Sequence, residues 1–466
     1  MQRKRKPMCM IVKTIPWRKL TMNKTTVNIY RGTNGIGVVI AISFNKDRVI
    51  LDFGAPFTPL SQVYDGEVRA RQANRVKDAL LLERIPQVPG VFSGKDLQDL
   101  PLQSYEDSAA NTAVFISHLH LDHMSEADKI DAHIPVYIHE DGIRLQNALN
   151  VVNEKEPRRE FTPFFYHQTV TVGEIKVTPY FSDHPCPGSS GFLVETPDST
   201  IYYSGDIRFH SVNNEKAWKE LDLFSKHKVD LLIVDATTTS PAEFTGELIF
   251  EQDIYDDIFS SLKDFTGLGI VNMYNRDVAM MKQIVNLADK LGRTAVFEPS
   301  FAFILQSLYG IKVPVWWLDN QHIPEFRKKM RETREIIPVE QIRKHPEQYL
   351  LQNSYSNILS LSDLDQLPGK HFHLFGEPLV KGTKEYQILG NVVAKLGWQF
   401  RSYTNLYSFS HTYPEHLRKF IEKIDAVSVI AVHSSKPENL DPVNSTQFFP
   451  EEGREYLLEN GQLKSL

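Results

Sequence analysis

The run Ser117-His118-Leu119-His120-Leu121-Asp122-His123 constrains this chain more than any other feature, because it follows directly on the apolar segment Ala113-Val114-Phe115-Ile116. Four side chains able to bind a metal lie within six residues, His118 to His123. The preceding segment has the apolar, partly β-branched character of a buried strand. A strand is rigid, the loop after it can turn several side chains toward one point, and imidazole with carboxylate suits zinc. Burying such groups without a shared partner is costly. The run therefore predicts a metal centre, and two histidines followed by an Asp-His pair are enough to begin two adjacent sites.

Other predicted strands end in the same kinds of residue. Asp52 follows Val49-Ile50-Leu51, His184 follows Val177 to Asp183, Asp206 follows Ile201 to Gly205, and His433 follows Ser428 to Val432. Taken singly, each has a plainer reading as a hydrogen-bonded structural histidine or a turn-forming Asp. Their common position after a strand is what joins them. The 2 cysteines, Cys9 and Cys186, cannot form a disulfide framework, which fits a reducing cytoplasm. Any transition metal must then be held by histidine and carboxylate. There is no transmembrane run. The net charge of −6 does not announce a nucleic-acid binder, yet a local basic groove beside a positive metal centre is sufficient to grip a few nucleotides.

A length of 466 residues suggests two or three domains, at roughly 150 residues each. Residues 1–25 read as a basic, disordered leader, with Arg3 to Lys6 ahead of an apolar patch too short for a signal peptide. Val27 to Tyr30, Val38 to Phe44 and Arg48 to Leu51 read as strands around a turn through Gly32, Gly35 and Gly37, and more strands follow from Ala113 to Tyr203. The texture then changes. Phe250 to Lys263, Val278 to Leu291 and Phe301 to Leu308 have helical periodicity, with the short strands Gly269 to Met273 and Thr294 to Phe297 between them. This βαβ pattern implies a parallel sheet. After a charged stretch, Pro324 to Pro346, it resumes near Tyr349; a loop with His411, a helix through Leu417 to Ile424 and the strand Val427 to Val432 close the chain. Cys186 reads as a packed thiol, Trp316 and Trp317 as core, and His210, His371, His373 and His416 as structural or exposed.

The order Asp52, His118-x-His120-x-Asp122-His123, His184, Asp206 and His433 resembles the metallo-β-lactamase superfamily. Tyr203-Ser204-Gly205-Asp206-Ile207-Arg208 and the interposed βαβ region are similar to its nucleic-acid-processing β-CASP group, in particular to a shorter ribonuclease J-like protein. The resemblance implies an α/β fold: an αββα metallo-β-lactamase sandwich at 26–240, an inserted β-CASP domain at 241–404, a return to the sandwich at 405–440, and a tail at 441–466. It also implies that Asp235 and His411 are marks of the group, with His433 closing the set after 22 residues that hold one helix and one strand. The group commonly has glycine before the histidine, where this chain has Phe409-Ser410-His411-Thr412, which puts the grip on a phosphate in question.

By the same resemblance His118, His120 and His184 hold one zinc, Asp122, His123 and His433 the other, and Asp206 bridges; manganese is an alternative to zinc. Asp52 orients a ligand imidazole or is a plain turn residue. His411 grips the scissile phosphate or protonates the leaving oxygen, and Asp235 orients His411 or a ligand, or is structural. The expected activity is zinc-dependent cleavage of a phosphodiester in RNA or another single-stranded nucleic acid, by a cytoplasmic protein, with a homodimer open. The alternatives are a DNA nuclease of the same group, a hydrolase of small esters or thioesters, and a scaffold that has lost its metals.

Overall fold

The computed structural model describes residues 23–56, 68–69, 71–152, 159–240, 248–316, 325–378, 381–403 and 410–466. The basic leader through residue 22, Cys9, Trp317 and Phe409 lie outside the described residues, as do 241–247 and 404–409, where the insert was expected to begin and end.

Two sheets pack face to face. The first runs, in spatial order, Gln462–Ser465, Glu455–Glu459, Thr25–Arg31, Val39–Phe44, Asp47–Leu51, Asn111–Phe115, Val136–His139 and Thr162–Phe164. The second runs Thr446–Gln447, Ser428–Val432, Leu231–Asp235, Thr200–Tyr203, Ser190–Glu195, Ile175–Phe181 and Val170–Val172. Alternation sets the two faces of each sheet. Val49 and Leu51 point into the sandwich with Ile29, Phe115, Phe192, Ile233 and Ile430, whereas Ile50 and Val114 face outward. Each fully buried residue of this size contributes about 1.5–3 kcal/mol. Leu145 and Leu149 of the helix Glu140–Val151 cover the outer face of the first sheet; the helices Asn214–Phe224 and Pro414–Ile424 cover that of the second. This is the αββα layering that the resemblance implied.

The insert holds five parallel strands in the order Thr294–Val296, Tyr349–Gln352, Leu268–Met273, Gly369–Leu374 and Gln399–Ser402. The helix Val278–Lys290, which follows Leu268–Met273, packs on one face, and Lys384–Lys395, which follows Gly369–Leu374, packs on the other. Adjacent strands whose helices diverge open a crevice at their carboxyl ends. The loop Tyr274 to Asp277 leaves from there toward the sandwich. Apolar side chains of the insert and of the sandwich's outer face belong to one continuous cluster.

Three expectations are corrected. Residues 441–466 are not a tail: Glu455–Glu459 pairs antiparallel with Thr25–Arg31, and Thr446–Gln447 extends the second sheet beside Ser428–Val432. The stretch 169–180, whose sequence reads as one strand-like segment, is a hairpin of two strands, Val170–Val172 and Ile175–Phe181, turned at Gly173 with φ of +57°. The charged stretch 324–346 contains the helices Glu325–Thr333 and Val339–Lys344 and the short strand Ile336–Ile337, because Met330, Ile337 and Ile342 are buried. Trp316 is core, with its indole N–H donating to the Gln352 carbonyl at 3.0 Å, and the Cys186 side chain is buried. His210, His371, His373 and His416 are all buried. Among the described residues no helix is long and apolar enough to cross a membrane.

Candidate metal centre

The strand Asn111–Phe115 delivers the chain to Ser117, and the backbone then turns into the short helix Leu121–Met124, whose N-cap is His120. Three backbone bonds clamp this turn to two neighbouring segments: Val38 N–H to Asp122 O at 3.1 Å from one, and Phe53 N–H to His123 O at 2.7 Å and Ala55 N–H to Leu121 O at 3.4 Å from the other. The approach requires glycine at Gly54, where a Cβ would lie 1.7 Å from the Asp122 carbonyl oxygen. Asp52 and His433, each directly after a strand, have φ of +59° and +62°. Such left-handed backbone on non-glycine residues is uncommon and concentrates at functional sites.

Asp206 stands at the middle of the cluster. Its Oδ2 lies 3.6 Å from His118 Nε2, 3.6 Å from His184 Nε2 and 3.9 Å from His433 Nε2, while Oδ1 lies 3.2 Å from His123 Nε2. His120 Nδ1 is 2.9 Å from His184 Nε2, and His433 Nε2 is 2.8 Å from Asp122 Oδ2. Three groups, His118–His120–His184–Asp206, Asp122–His123–His433 and Asp206–Asp235–His411–His433, each gather their ligand atoms within 4.8 Å. The Nε2 atoms of His118 and His123 are buried with no hydrogen-bond partner in the protein, although each points into the cluster. Buried, orphaned nitrogens facing carboxylates fit a divalent-metal site, since a cation is the partner they lack.

A second set of contacts fixes which ring nitrogen faces inward. Asp52 is fully buried and accepts from Ser117 N–H at 2.6 Å, Ser117 Oγ at 2.8 Å, Tyr203 Oη at 2.6 Å and His123 Nδ1 at 2.8 Å. That leaves His123 Nε2 for the cluster. His184 Nδ1 donates to the Ser410 carbonyl at 2.8 Å. The serine that replaces the expected glycine thus contributes a main-chain group that any residue could supply. Thr237 Oγ1 accepts from His433 Nδ1 at 2.7 Å and donates to Asp235 Oδ1 at 2.6 Å. Asp235 Oδ2 lies 2.7 Å from His411 Nδ1, which directs the other ring nitrogen of His411 away from Asp235.

Burial sets the charge states. It pushes His118 and His184 well below the ordinary imidazole range, helped by the surrounding histidines, and takes His120 down to about 3 against the pull of Asp122 and Asp206. These rings are neutral, as ligation requires. Burial alone would also lower His123 and His433, but Asp206, with Asp122, overcomes it, raising His123 well above its usual value and His433 to about 9. Burial alone would raise Asp122 and Asp206; His123 and His433 outweigh it and hold both carboxylates below their usual range.

All the site residues expected from the sequence, Asp52, His118, His120, Asp122, His123, His184, Asp206, Asp235, His411 and His433, meet in this one region. Sequence reasoning missed Ser117, Tyr203 and Thr237, which orient them, and Tyr274 and Arg276 of the insert. The Tyr274 ring lies 5.5 Å from the His120 ring, and Arg276 Nε donates to Leu119 O at 3.1 Å. A tyrosine ending a strand and a hydroxyl two residues past Asp235 carry no local signal.

Residues 88–294 match the beta-lactamase superfamily domain. Ribonuclease J of Pyrococcus abyssi is 25% identical over 297 residues, 60% of this chain and 60% of that protein. Ribonuclease J of Methanocaldococcus jannaschii is 26% identical over 226 residues, 43% of this chain and 48% of its own, and ribonuclease J 2 of Staphylococcus epidermidis is 26% identical over 243 residues, 50% and 40% respectively. The chain thus spans less than two thirds of the length of each of these relatives. A crystal structure of a protein of unknown function from Enterococcus faecalis V583 superposes with a TM-score of 0.78 at 25% identity, covering 93% of this chain and 100% of that one.

Proposed function

We propose that this chain, a ribonuclease J-like β-CASP protein of the metallo-β-lactamase superfamily, is a hydrolase that cleaves phosphodiesters in RNA with the help of two zinc ions. One observation carries the reading: two ligand groups adjoin at Asp206, and His411, held by Asp235, stands against the same carboxylate at 3.9 Å. A small-ester hydrolase needs the metal groups but gives no reason for a buried Asp–His pair beside them or for an insert reaching to His120.

His118, His120 and His184 would hold one ion, Asp122, His123 and His433 the other, with Asp206 shared; manganese suits the same donors. When bound, the ions supply an activated water near neutral pH and offset charge on the phosphoryl group. The chain's own residues do the rest. Asp52 and Thr237 keep His123 and His433 in the tautomer that turns Nε2 inward. Asp235 accepts a hydrogen bond from His411 Nδ1, which turns the opposite nitrogen toward the substrate; carrying a second proton, as imidazolium, the ring can grip a phosphate oxygen or give that proton to the leaving oxygen and return to the neutral form. The carboxyl-end crevice of the insert, with Tyr274 at its mouth, would receive the nucleotides. A reducing cytoplasm suits a chain whose 2 cysteines cannot form a disulfide framework.

The test offers 5′-monophosphorylated RNA, single-stranded DNA and a generic phosphodiester to the zinc- or manganese-loaded protein, beside His120→Ala. RNA cleavage that the variant lacks is the expected result. Cleavage by His120→Ala at the wild-type rate removes the metal assignment, preference for DNA moves the substrate, and turnover of small esters alone ends the nuclease reading.

A further inference from the structure

The mechanism leaves a group of buried charges unused. Arg208 lies two residues beyond Asp206 and is 2% exposed, as buried as the Asp183, Glu251 and Asp277 carboxylates around it, at 3%, 1% and 2%. Its Nε is 3.5 Å from Asp183 Oδ1 and its Nη2 is 3.4 Å from Glu251 Oε2. Asp183 and Arg208 belong to the loops that carry His184 and Asp206. Glu251 is the first residue of the helix Glu251–Leu262, and Asp277 caps Val278–Lys290, both in the insert.

Hydrogen bonds tighten this junction. Within the sandwich, Arg208 N–H donates to Asp183 O at 2.8 Å, Ser182 Oγ to Asp206 O at 2.6 Å, and Ser211 Oγ to Asp183 Oδ2 at 2.6 Å. Across to the insert, Glu251 N–H donates to His210 O at 2.9 Å, and Val212 N–H to Glu251 Oε2 at 3.2 Å. One residue before Asp277, Arg276 donates to the Leu119 carbonyl, between His118 and His120. The insert thus holds all four members of one ligand group, His184 and Asp206 through Arg208, and His118 and His120 through Arg276.

Stability alone does not explain such an arrangement. Taking an ion out of water costs several kcal/mol, and an apolar junction of the same volume is often as stable or more so. A guanidinium spanning two carboxylates adds fixed geometry, which a single ammonium does not reproduce. We propose that Arg208 is a positioning residue for the metal centre: it holds the His184 and Asp206 loops to the first helix of the insert, so that the seating of the insert sets how His118, His120, His184 and Asp206 converge. The inference rests on the reading of those four as metal ligands.

Glu251→Gln tests it in the full chain, because Gln keeps the shape and an acceptor, removes the charge and changes no residue of either ligand loop. Zinc affinity is measured by competition with a chromophoric chelator on protein whose circular dichroism is native, and turnover on bis(4-nitrophenyl) phosphate, a diester too small to need the crevice. Leu350→Ala, in the core of the insert, serves as the comparison that weakens the insert without touching the junction. Glu251→Gln is expected to bind zinc about tenfold more weakly, and to lose kcat with KM changed less than about twofold. Leu350→Ala is expected to keep wild-type affinity below its own melting temperature. Wild-type zinc binding by folded Glu251→Gln overturns the proposal, and so does an equal loss in Leu350→Ala. Arg208→Met is expected to match Glu251→Gln where it folds; where it does not, Glu251→Gln decides. A wild-type protein inert toward the diester sinks the hydrolase reading, while zinc affinity still decides the role of Arg208.

Discussion

Replacing Asp52 with Asn tests the orienting contacts most directly, because one atom changes and the consequence can be counted. Asp52 Oδ2 takes bonds from Ser117 Oγ, Tyr203 Oη and His123 Nδ1, and Oδ1 takes one from Ser117 N–H. Asn offers a single oxygen. With its amide nitrogen toward Ser117 N–H, two donors confront each other; with the amide toward His123, the ring is driven to the tautomer that accepts at Nδ1 and carries its proton on Nε2, where a ligand lone pair belongs. Either way at least one charge-assisted bond is lost, about 1.5–3 kcal/mol. Loss of such a contact behind a metal ligand typically lowers affinity about 10–100-fold, or about 1.4–2.8 kcal/mol. Zinc affinity of Asp52→Asn by chelator competition, with circular dichroism to confirm the fold, reads this directly. A folded variant that binds zinc within about twofold of wild type refutes the orienting role.

His411→Ala is expected to lower kcat on RNA by about 10²–10⁴-fold with zinc content unchanged, checked by single-turnover kinetics and metal analysis; Asp235→Asn should show a smaller loss, and depletion of metal in His411→Ala would make His411 a ligand instead. Gly54→Ala should fail to bind zinc in the same competition, because the new Cβ meets backbone atoms of Asp122 and His123 that cannot move aside without opening the clamp. Burial, with Glu251 beside it, raises Asp277 to about 7, so the folded protein keeps a proton that the unfolded chain gives up in the ordinary carboxylate range. Its contribution to stability is full at acid pH and is lost as pH rises to about 7. Thermal unfolding followed from pH 5.5 to 8 should therefore show a decline that Asp277→Asn flattens; an unchanged slope in the variant refutes it.

How much was legible in the sequence follows from the range over which each feature is encoded. His118 to His123 could be read because four competent side chains and the strand that delivers them are contiguous. Asp52 and His433, directly after an apolar run, and His184 and Asp206, two residues further on, could be read because a polar residue closely following such a run marks a strand's exit. The αββα sandwich came only through the family resemblance that their order and the helix-and-strand texture of the insert carry. Thr237 and Tyr203 could not be read, since each matters through partners far along the chain, His433 for one and Asp52 for the other. Glu455–Glu459 shows the limit for secondary structure. Its sequence, Glu-Tyr-Leu-Leu-Glu, is short and charged at both ends, and it becomes a strand because Thr25–Arg31 on one side and Gln462–Ser465 on the other pair with it. Arg208 looked like part of a motif; its partner Glu251 begins a helix in another part of the fold.

The strand pairing of Thr25–Arg31 with Glu455–Glu459 sets the order in which this protein can be completed. A side-chain bond from Thr26 to Glu455 closes a separation of 429 residues, and His433 reaches Asp122 across 311. A ribosome therefore releases the His118–His123 loop long before the last ligand and the strand that seals the first sheet exist. Until then the nascent chain presents an exposed sheet edge, a hazard for pairing with other chains, and a half-assembled ligand set. A translation product cut short before His433 lacks that histidine and its bonds to Asp122 and Thr237, so an unfinished copy carries only part of the cluster.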